Sequence, residues 1–270
     1  MESENHSQPF LQTHSRPLVY SATNSLIAIA NEPNALLLLD PALEHPLTIP
    51  SLATDRTLSL KLTPNLLVRG GNEGHINIWD MRQPATPTHL HSFHRPGCKF
   101  KAIDVSEHIL AAAYGKKVVF WDLRKMKQRA EFTDSFNDEV TALRFSQRAM
   151  TELYGCSSDG LVARFDLTEK NEEDALIWGH QMLESPCRLD TSHDILLVET
   201  QDQVLLTFYD ESVKDRYEVR KSHPSAQIVK SWLDEECRVH YITQDMKLNT
   251  VDYWVNGERT GHLPTPKHTI

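Results

Sequence analysis

Three groups of residues have types and spacings that could do chemistry. In His89-Leu90-His91-Ser92-Phe93-His94 the first two histidines stand two residues apart, so a strand would present both imidazoles on one face, as a divalent metal requires. No Cys or carboxylate stands close by, and the run reads instead as an outer strand with its exit loop. Gly70-Gly71-Asn72-Glu73-Gly74 has the glycine density of a phosphate loop, but no Lys-Ser/Thr pair or helix follows, which makes it a hairpin turn. Ser157, His180 and Asp190 supply the residue types of a nucleophilic triad, yet no nucleophile elbow surrounds the serine. No catalytic, cofactor-binding or metal-ligating set is assigned, and the chain is not expected to be an enzyme.

The charge and cysteine patterns point to other macromolecules as partners. Residues 1–53 carry a net charge of -4, residues 54–150 of +5 and residues 151–270 of -10. A basic middle beside a strongly acidic C-terminal half argues against direct nucleic-acid binding and for a protein partner with a basic segment. Cys98, Cys156, Cys187 and Cys237 form no CxxC pair or framework spacing, so reduced thiols and an intracellular site, cytosol or nucleus, are expected rather than secretion. Met1-Glu2-Ser3-Glu4 opens with acids and lacks the apolar core of a signal peptide. The most apolar stretch, Ser25 to Leu39, is broken by Asn31-Glu32-Pro33-Asn34 and falls short of the roughly 20 residues of a membrane span.

The elements that must position any site follow from a repeat. An apolar run ending in an acid recurs at Leu36-Leu37-Leu38-Leu39-Asp40, Ile76-Asn77-Ile78-Trp79-Asp80, Val118-Val119-Phe120-Trp121-Asp122, Val162-Ala163-Arg164-Phe165-Asp166 and Leu205 to Asp210, with a degenerate copy at Val251 to Asn256. The terminal positions are 40, 42, 44, 44 and 46 residues apart. Before each lies another apolar strand and a turn, as in Ile109 to Tyr114 before Gly115-Lys116, or Glu152 to Ser157 before Ser158-Asp159-Gly160. With one alternating run upstream (Val140 to Phe145) and a more polar one downstream (Gln128 to Phe132), each period holds four strands, the blade of a β-propeller.

One four-stranded sheet cannot cover either of its apolar faces alone, so such blades must stack. The inner strands are expected to be the most apolar, with Leu26 to Ala30 and Ile109 to Ala113 in that role. Leu39, Trp79, Trp121, Phe165 and Tyr209 are expected to fill the space between blades. The fold class is therefore all-β, with six recognisable blades over residues 16–263. A polar arm (residues 1–15), in which Pro9 to Thr13 could close the ring, precedes it, and a tail (residues 264–270) follows.

Trp79-Asp80 and Trp121-Asp122 carry the dipeptide of the WD-repeat family, which the chain resembles over nearly its full length. From Asp138 to Leu176 it is similar to the WD repeat-containing protein 89 family, above all in Asn171-Glu172-Glu173-Asp174-Ala175-Leu176. The acidic run within that hexapeptide would otherwise read as a solvated loop. The resemblance implies a scaffolding propeller. The Gly-His dipeptide that family members use in a buried tetrad is replaced by Phe136-Asn137-Asp138 and Arg95-Pro96-Gly97, with Gly179-His180 the nearest candidate. Family members usually close seven blades, so a shortened chain, a six-bladed ring and an assembly completed by a partner all stay open.

Blade phasing puts the turns inside each hairpin and the joints between blades on one rim. There Glu73, Asp138, Glu139, Asp159, Glu184, Asp202 and Asp245 are expected to form an acidic docking surface for a basic protein segment, against Arg95, Lys99, Lys116 and Lys117. On the opposite rim, Trp79-Asp80-Met81-Arg82 and Trp121-Asp122-Leu123-Arg124 resemble the motifs of substrate receptors of a cullin-type ubiquitin ligase. In that alternative Arg82 and Arg124 contact the ligase adaptor, a role suited to the guanidinium fork.

Overall fold

The computed structural model describes residues 17–23, 26–31, 35–39, 47–49, 56–169, 171–193, 195–209, 212–218, 226–245 and 250–264. Pro9 to Thr13, the turn residues 32–34, Asp40 and Asp210 lie outside them. The strands pair in six antiparallel four-stranded sheets, each strand bonded to its chain neighbour, so the propeller blades expected from the repeat are present.

The unit Met1–Pro96 holds two blades. Blade 1 is β1 (Pro17–Ala22), β2 (Ile27–Asn31), β3 (Ala35–Leu39) and β4 (Leu47–Ile49), and blade 2 is β5 (Thr57–Leu62), β6 (Leu66–Gly71), β7 (His75–Asp80) and β8 (Thr88–His94). One apolar cluster joins them, with Leu36 and Leu38 of blade 1 packed with Leu60, Leu67 and Trp79 of blade 2.

The unit Gly97–Ile270 holds four. Blade 3 is β9 (Ala102–Ser106), β10 (Ile109–Tyr114), β11 (Lys117–Asp122) and β12 (Lys127–Phe132). Blade 4 is β13 (Val140–Phe145), β14 (Glu152–Ser157), β15 (Leu161–Asp166), the one-turn helix α1 (Glu172–Ala175) and β16 (Leu176–Gln181). Blade 5 is β17 (Pro186–Ser192), β18 (Ile195–Thr200), β19 (Val204–Tyr209) and β20 (Ser212–Glu218), and blade 6 is β21 (Gln227–Leu233), β22 (Val239–Asp245), β23 (Thr250–Val255) and β24 (Glu258–Pro264). The first strands β9, β13, β17 and β21 contact one another in succession, which makes them the inner strands.

Two expectations need correction. The most apolar strands are second, not innermost: every residue from Ile109 to Ala113 in β10 is buried, because a second strand has a neighbouring blade on both faces. Small alanines there let the sheets approach. Tyr209 does not fill an inter-blade space, since it is 49% exposed. A β-bulge recurs in the fourth strand of blades 2 to 6, where Leu90, Arg129, Ile177, Lys214 and Thr260 are the extra residues opposite the third-strand steps 78/79, 120/121, 164/165, 207/208 and 253/254. On the third strand the step falls immediately before Trp79, Trp121, Phe165, Phe208 and Trp254, all buried. Counted from the bulge, blade 5 uses Phe208, one residue earlier than the terminal acid suggests.

The innermost strands are clipped together by a repeated contact. Ser21 Oγ accepts the N–H of Leu62 at 2.9 Å, Asp104 Oδ2 that of Phe145 at 2.7 Å, and Asp190 Oδ2 that of Leu233 at 3.1 Å. Each joins the first strand of one blade to the first strand of the next. Between blades 4 and 5 Arg144 Nη2 donates to Asp190 Oδ1 at 2.7 Å. Burial pulls the guanidinium pKa down, but the charges of Asp104 and Asp190 and the hydrogen bond to Asp190 outweigh it and raise it above the ordinary arginine value.

Candidate protein-binding rim

In each antiparallel blade the second-to-third-strand turn and the joint to the next blade share one end. In the unit Gly97–Ile270 backbone bonds weld these loops into a band. Val140 N donates to Gly115 O, Ser158 N to Glu139 O, Met182 N to Gly160 O and Gln201 N to Ser185 O, at 2.8 to 2.9 Å. Ser185 Oγ adds a bond to Ser158 O at 2.7 Å. The close approach needs Gly160, whose φ is +95° and where a Cβ would collide with the carbonyl oxygen of Met182. In the other unit Gly74, at φ +91°, meets Arg95 in the same way.

This band carries five of the expected acids, Asp138, Glu139, Asp159, Glu184 and Asp202. Asp138, Asp159 and Asp202 are exposed and Glu184 is half-buried. Asp138 is held below the usual carboxylate range by the hydroxyl of Ser158 and then by the Glu139 N–H, against a smaller burial effect. Asp159 takes the hydroxyl proton of Ser157 in a hydrogen bond, and its own carbonyl accepts Gln181 Nε2 at 2.5 Å. Glu139 is already engaged, with Lys101 Nζ at 2.6 Å, so it adds little net field. Glu73 is exposed on the corresponding turn of the unit Met1–Pro96.

Asp245 does not belong to an exposed surface. It ends β22 opposite Thr250 and is 1% exposed, because β22 runs two residues further than the apolar pattern to Thr243 suggests and carries the acid into the sheet. Conversely, the sequence reading missed Leu183, which stands in the joint between blades 4 and 5 with its side chain entirely in solvent, at 103% relative exposure. Its signal was an unaccompanied leucine in a joint where turn formers are the rule. At the blade 3 end the band turns basic, with Lys99 and Lys116 exposed.

Within their own blades, Arg82 in the unit Met1–Pro96 and Arg124 in the unit Gly97–Ile270 occupy equivalent places after β7 and β11, with side chains 74% and 66% exposed. Each closes on its own WD carboxylate: Arg82 Nε lies 2.9 Å from Asp80 Oδ2, and Arg124 N 2.9 Å from Asp122 Oδ1. The hydrogen bonds from Arg82 bring Asp80 down to about 2.

The residues that could have done chemistry are dispersed into structural roles. Ser157 is buried and bonded to Asp159, Asp190 belongs to the inner clip, and His180 lies on β16 stacked on Trp178 at 5.9 Å. Gly179-His180 is thus part of an outer strand, not of a joint. His89 bonds Ser92 Oγ at 2.9 Å, which in turn donates to Asn77 Oδ1 at 2.7 Å. Burial pushes the thiol of Cys156 up to about 12, and burial with the Glu199 charge pushes that of Cys187 up to about 11, so neither is a nucleophile near neutrality. Among the described residues no group of His, Cys, Asp and Glu could hold a metal ion, and no helix is long and apolar enough to cross a membrane.

The run Asn171 to Leu176 is not simply a solvated loop. The Glu172 carboxylate reaches across to the joint before β13 and accepts the backbone N–H groups of Thr133, Asp134 and Ser135 at 2.7 to 2.8 Å and the Ser135 hydroxyl at 2.5 Å. Burial alone would raise its pKa, but these bonds hold it below the ordinary glutamate value.

Six four-stranded meanders, a recurrent bulge opposite a buried aromatic and the WD dipeptides make the fold a WD-repeat β-propeller. The chain is similar to the WD repeat-containing protein 89 homolog of Dictyostelium discoideum, 28% identical over 159 residues that make up 58% of this chain and 43% of that protein. It is also similar to the GATOR2 complex protein Wdr59 of Drosophila melanogaster, 29% identical over 42% of this chain and 12% of that one. The matched stretches are thus less than half of either relative. No family model matches the chain. Among solved structures, Chaetomium thermophilum Raptor superposes with a TM-score of 0.75 over 96% of this chain and 25% of its own, at 12% identity, a likeness of fold. WD-repeat propellers are typically scaffolds for protein interaction.

Proposed function

We propose that the chain is a non-enzymatic protein-interaction scaffold whose rim over blades 4 and 5 docks a Lys- or Arg-rich segment of another protein. The observation that carries this reading is the welded band whose loops carry Asp138, Asp159, Glu184 and Asp202 together with the fully exposed Leu183. Carboxylates on loops fixed by backbone bonds need no ordering on binding, and a leucine on the same band supplies apolar area that charge alone lacks.

Capture of a lysine-rich peptide by the triple variant Asp138→Lys, Asp159→Lys, Asp202→Lys tests it. Each exposed ion pair is worth roughly 0.2–1 kcal/mol. Replacing three attractions by repulsions should therefore weaken capture at least tenfold and reduce its salt dependence. Capture equal to wild type would remove the rim from the account. The exposure and equivalent placement of Arg82 and Arg124 favour a second reading, a receptor of a cullin-type ligase. The same pull-down decides between them, because that reading requires the ligase adaptor to co-purify and to be lost from Arg82→Ala, Arg124→Ala with the rim intact.

A further inference from the structure

We propose that the outer edge of blade 4, strand β16, is a second binding site, independent of the rim, that takes an extended, apolar, basic-ended peptide segment as a fifth antiparallel strand. An edge strand presents unpaired N–H and C=O groups, and folded chains ordinarily guard such edges with charged side chains or proline. Two other outer strands of the same unit follow that rule: β12 carries Lys127, Arg129 and Glu131, and β24 carries Glu258 and Arg259. In contrast β16 reads Leu176-Ile177-Trp178-Gly179-His180-Gln181, without Lys, Arg, Asp, Glu or Pro. Leu176 and Ile177 are each 43% exposed.

The polarity of the edge follows from the ladder. Met182 donates its N–H to Gly160 O on the β15 side, with the pairs Leu161↔Gln181, Val162↔His180 and Ala163↔Gly179 next in register. Antiparallel alternation then turns the backbone groups of His180 toward β15 and those of Gln181 and Gly179 away from it. The outward position nearest the centre of the strand is thus a glycine. Its space is open, since a Cβ there would meet only Leu161 Cδ1 at 3.7 Å, so packing inside the blade does not demand it. A strand glycine marks a bulge or a place where another backbone approaches closely; the bulge of β16 lies at Ile177, two residues from Gly179, which leaves the second reason. The strand is held firmly for that purpose, with Trp178 and His180 stacked on each other and both edge-on to Phe208 of blade 5.

Charge selects the occupant. Glu173 and Asp174 are exposed immediately before β16, and Glu169 is exposed in the same loop. A second copy pairing antiparallel would bring these acids to the Glu184 end of its partner, like against like, in a chain of net charge -9. A partner strand of alternating apolar residues closed by lysines at its C-terminal end would instead set its positive charge beside Glu173 and Asp174, with main-chain bonds supplying affinity.

The probe is a fluorescent nine-residue peptide of alternating valine and threonine with two C-terminal lysines, titrated into the whole chain. Binding should protect the Gly179 and Gln181 amides from hydrogen exchange. Gly179→Pro, which an edge strand tolerates because the lost N–H faces outward, should weaken binding at least tenfold with an unchanged melting temperature. Ile177→Lys is the second variant and should do the same by guarding the edge with charge. The rim triple variant should bind this peptide as wild type does, so the two sites fail separately. Absence of binding to wild type, equal binding by Gly179→Pro and Ile177→Lys, or a wild-type dimer in sedimentation that either variant dissolves would each overturn the proposal.

Discussion

Arg144 is the place where the inner clips depend on charge, and Arg144→Met is the perturbation that measures it. The guanidinium stands 2.7 Å from Asp190 Oδ1, while Asp104, whose field also reaches it, spends Oδ2 on the Phe145 N–H. The methionine keeps most of the volume and removes the cation, so two inward carboxylates are left facing each other. Breaking a fully buried pair costs about 3–5 kcal/mol. With side chains 28% and 16% exposed, solvent screening brings the expected loss to about 2–3 kcal/mol. At roughly 2–4 °C per kcal/mol for a chain of this size, the melting temperature should fall by about 4–12 °C in thermal denaturation followed by circular dichroism. Adding Asp190→Asn to Arg144→Met should recover about 1–2 kcal/mol of that, since it removes one of the orphaned charges. A shift below 1 °C for the single variant, or strictly additive effects in the double variant, would refute the claim that this arginine is the electrostatic link between blades 3, 4 and 5.

Two further outcomes follow from the packing of blades 3 and 4. Glu172→Gln should cost about 1–2 kcal/mol at pH 7 by weakening four hydrogen bonds to a charged, partly exposed acceptor. Because the folded carboxyl is held below its ordinary pKa, that contribution is complete above the ordinary value and lost as pH falls through the folded one, so urea midpoints of wild type and variant should converge in acid. Gly155→Ala would set a Cβ 2.8 Å from Phe136 Cζ and 3.3 Å from Leu143 Cδ2, which should destabilise by about 1–3 kcal/mol. Phe136→Leu in the same chain should take part of that cost back in a thermal melt, and additive losses would show that the clash is not with Phe136.

The sequence made the blades legible because their cause is local: turn formers between β-rich runs recur at nearly constant spacing, and both hairpin and period can be counted. Position within the blade was less legible. Inner and second strands are both rich in apolar residues, and only contact between β9, β13, β17 and β21 shows that Asp104, Arg144 and Asp190 share a level. In blade 5 the buried aromatic, Phe208, stands two residues before the terminal acid instead of one, and only its pairing across from the bulge of β20 marks it, which counting back from the acid does not show. On the rim, Asp138, Asp159 and Asp202 were legible because turn residues that end hairpins are exposed by construction. Asp245 was not, because the extension of β22 to that residue depends on pairing with Thr250, which the apolar pattern does not show.

The way blades 3 to 6 cohere explains why their rim can be used at all. In the family pattern a His from the joint is drawn into a buried tetrad, which ties the rim loops to the core. Here the joint before β13 has no histidine and buries Phe136 against Phe165 at 5.8 Å, and in blade 6 Trp254 Nε1 donates to Thr243 Oγ1 at 3.0 Å. Cohesion has moved inward, to the clips at Asp104, Arg144 and Asp190, and to the aromatics between blades. The joints are then fixed by backbone bonds and by inward side chains such as Ser185 and Glu172, and the exposed side chains of Leu183 and Asp202 contribute little to holding the blades together. Substitutions there should leave stability within about 0.5 kcal/mol while changing binding, which is the separation between fold and function that a docking rim requires.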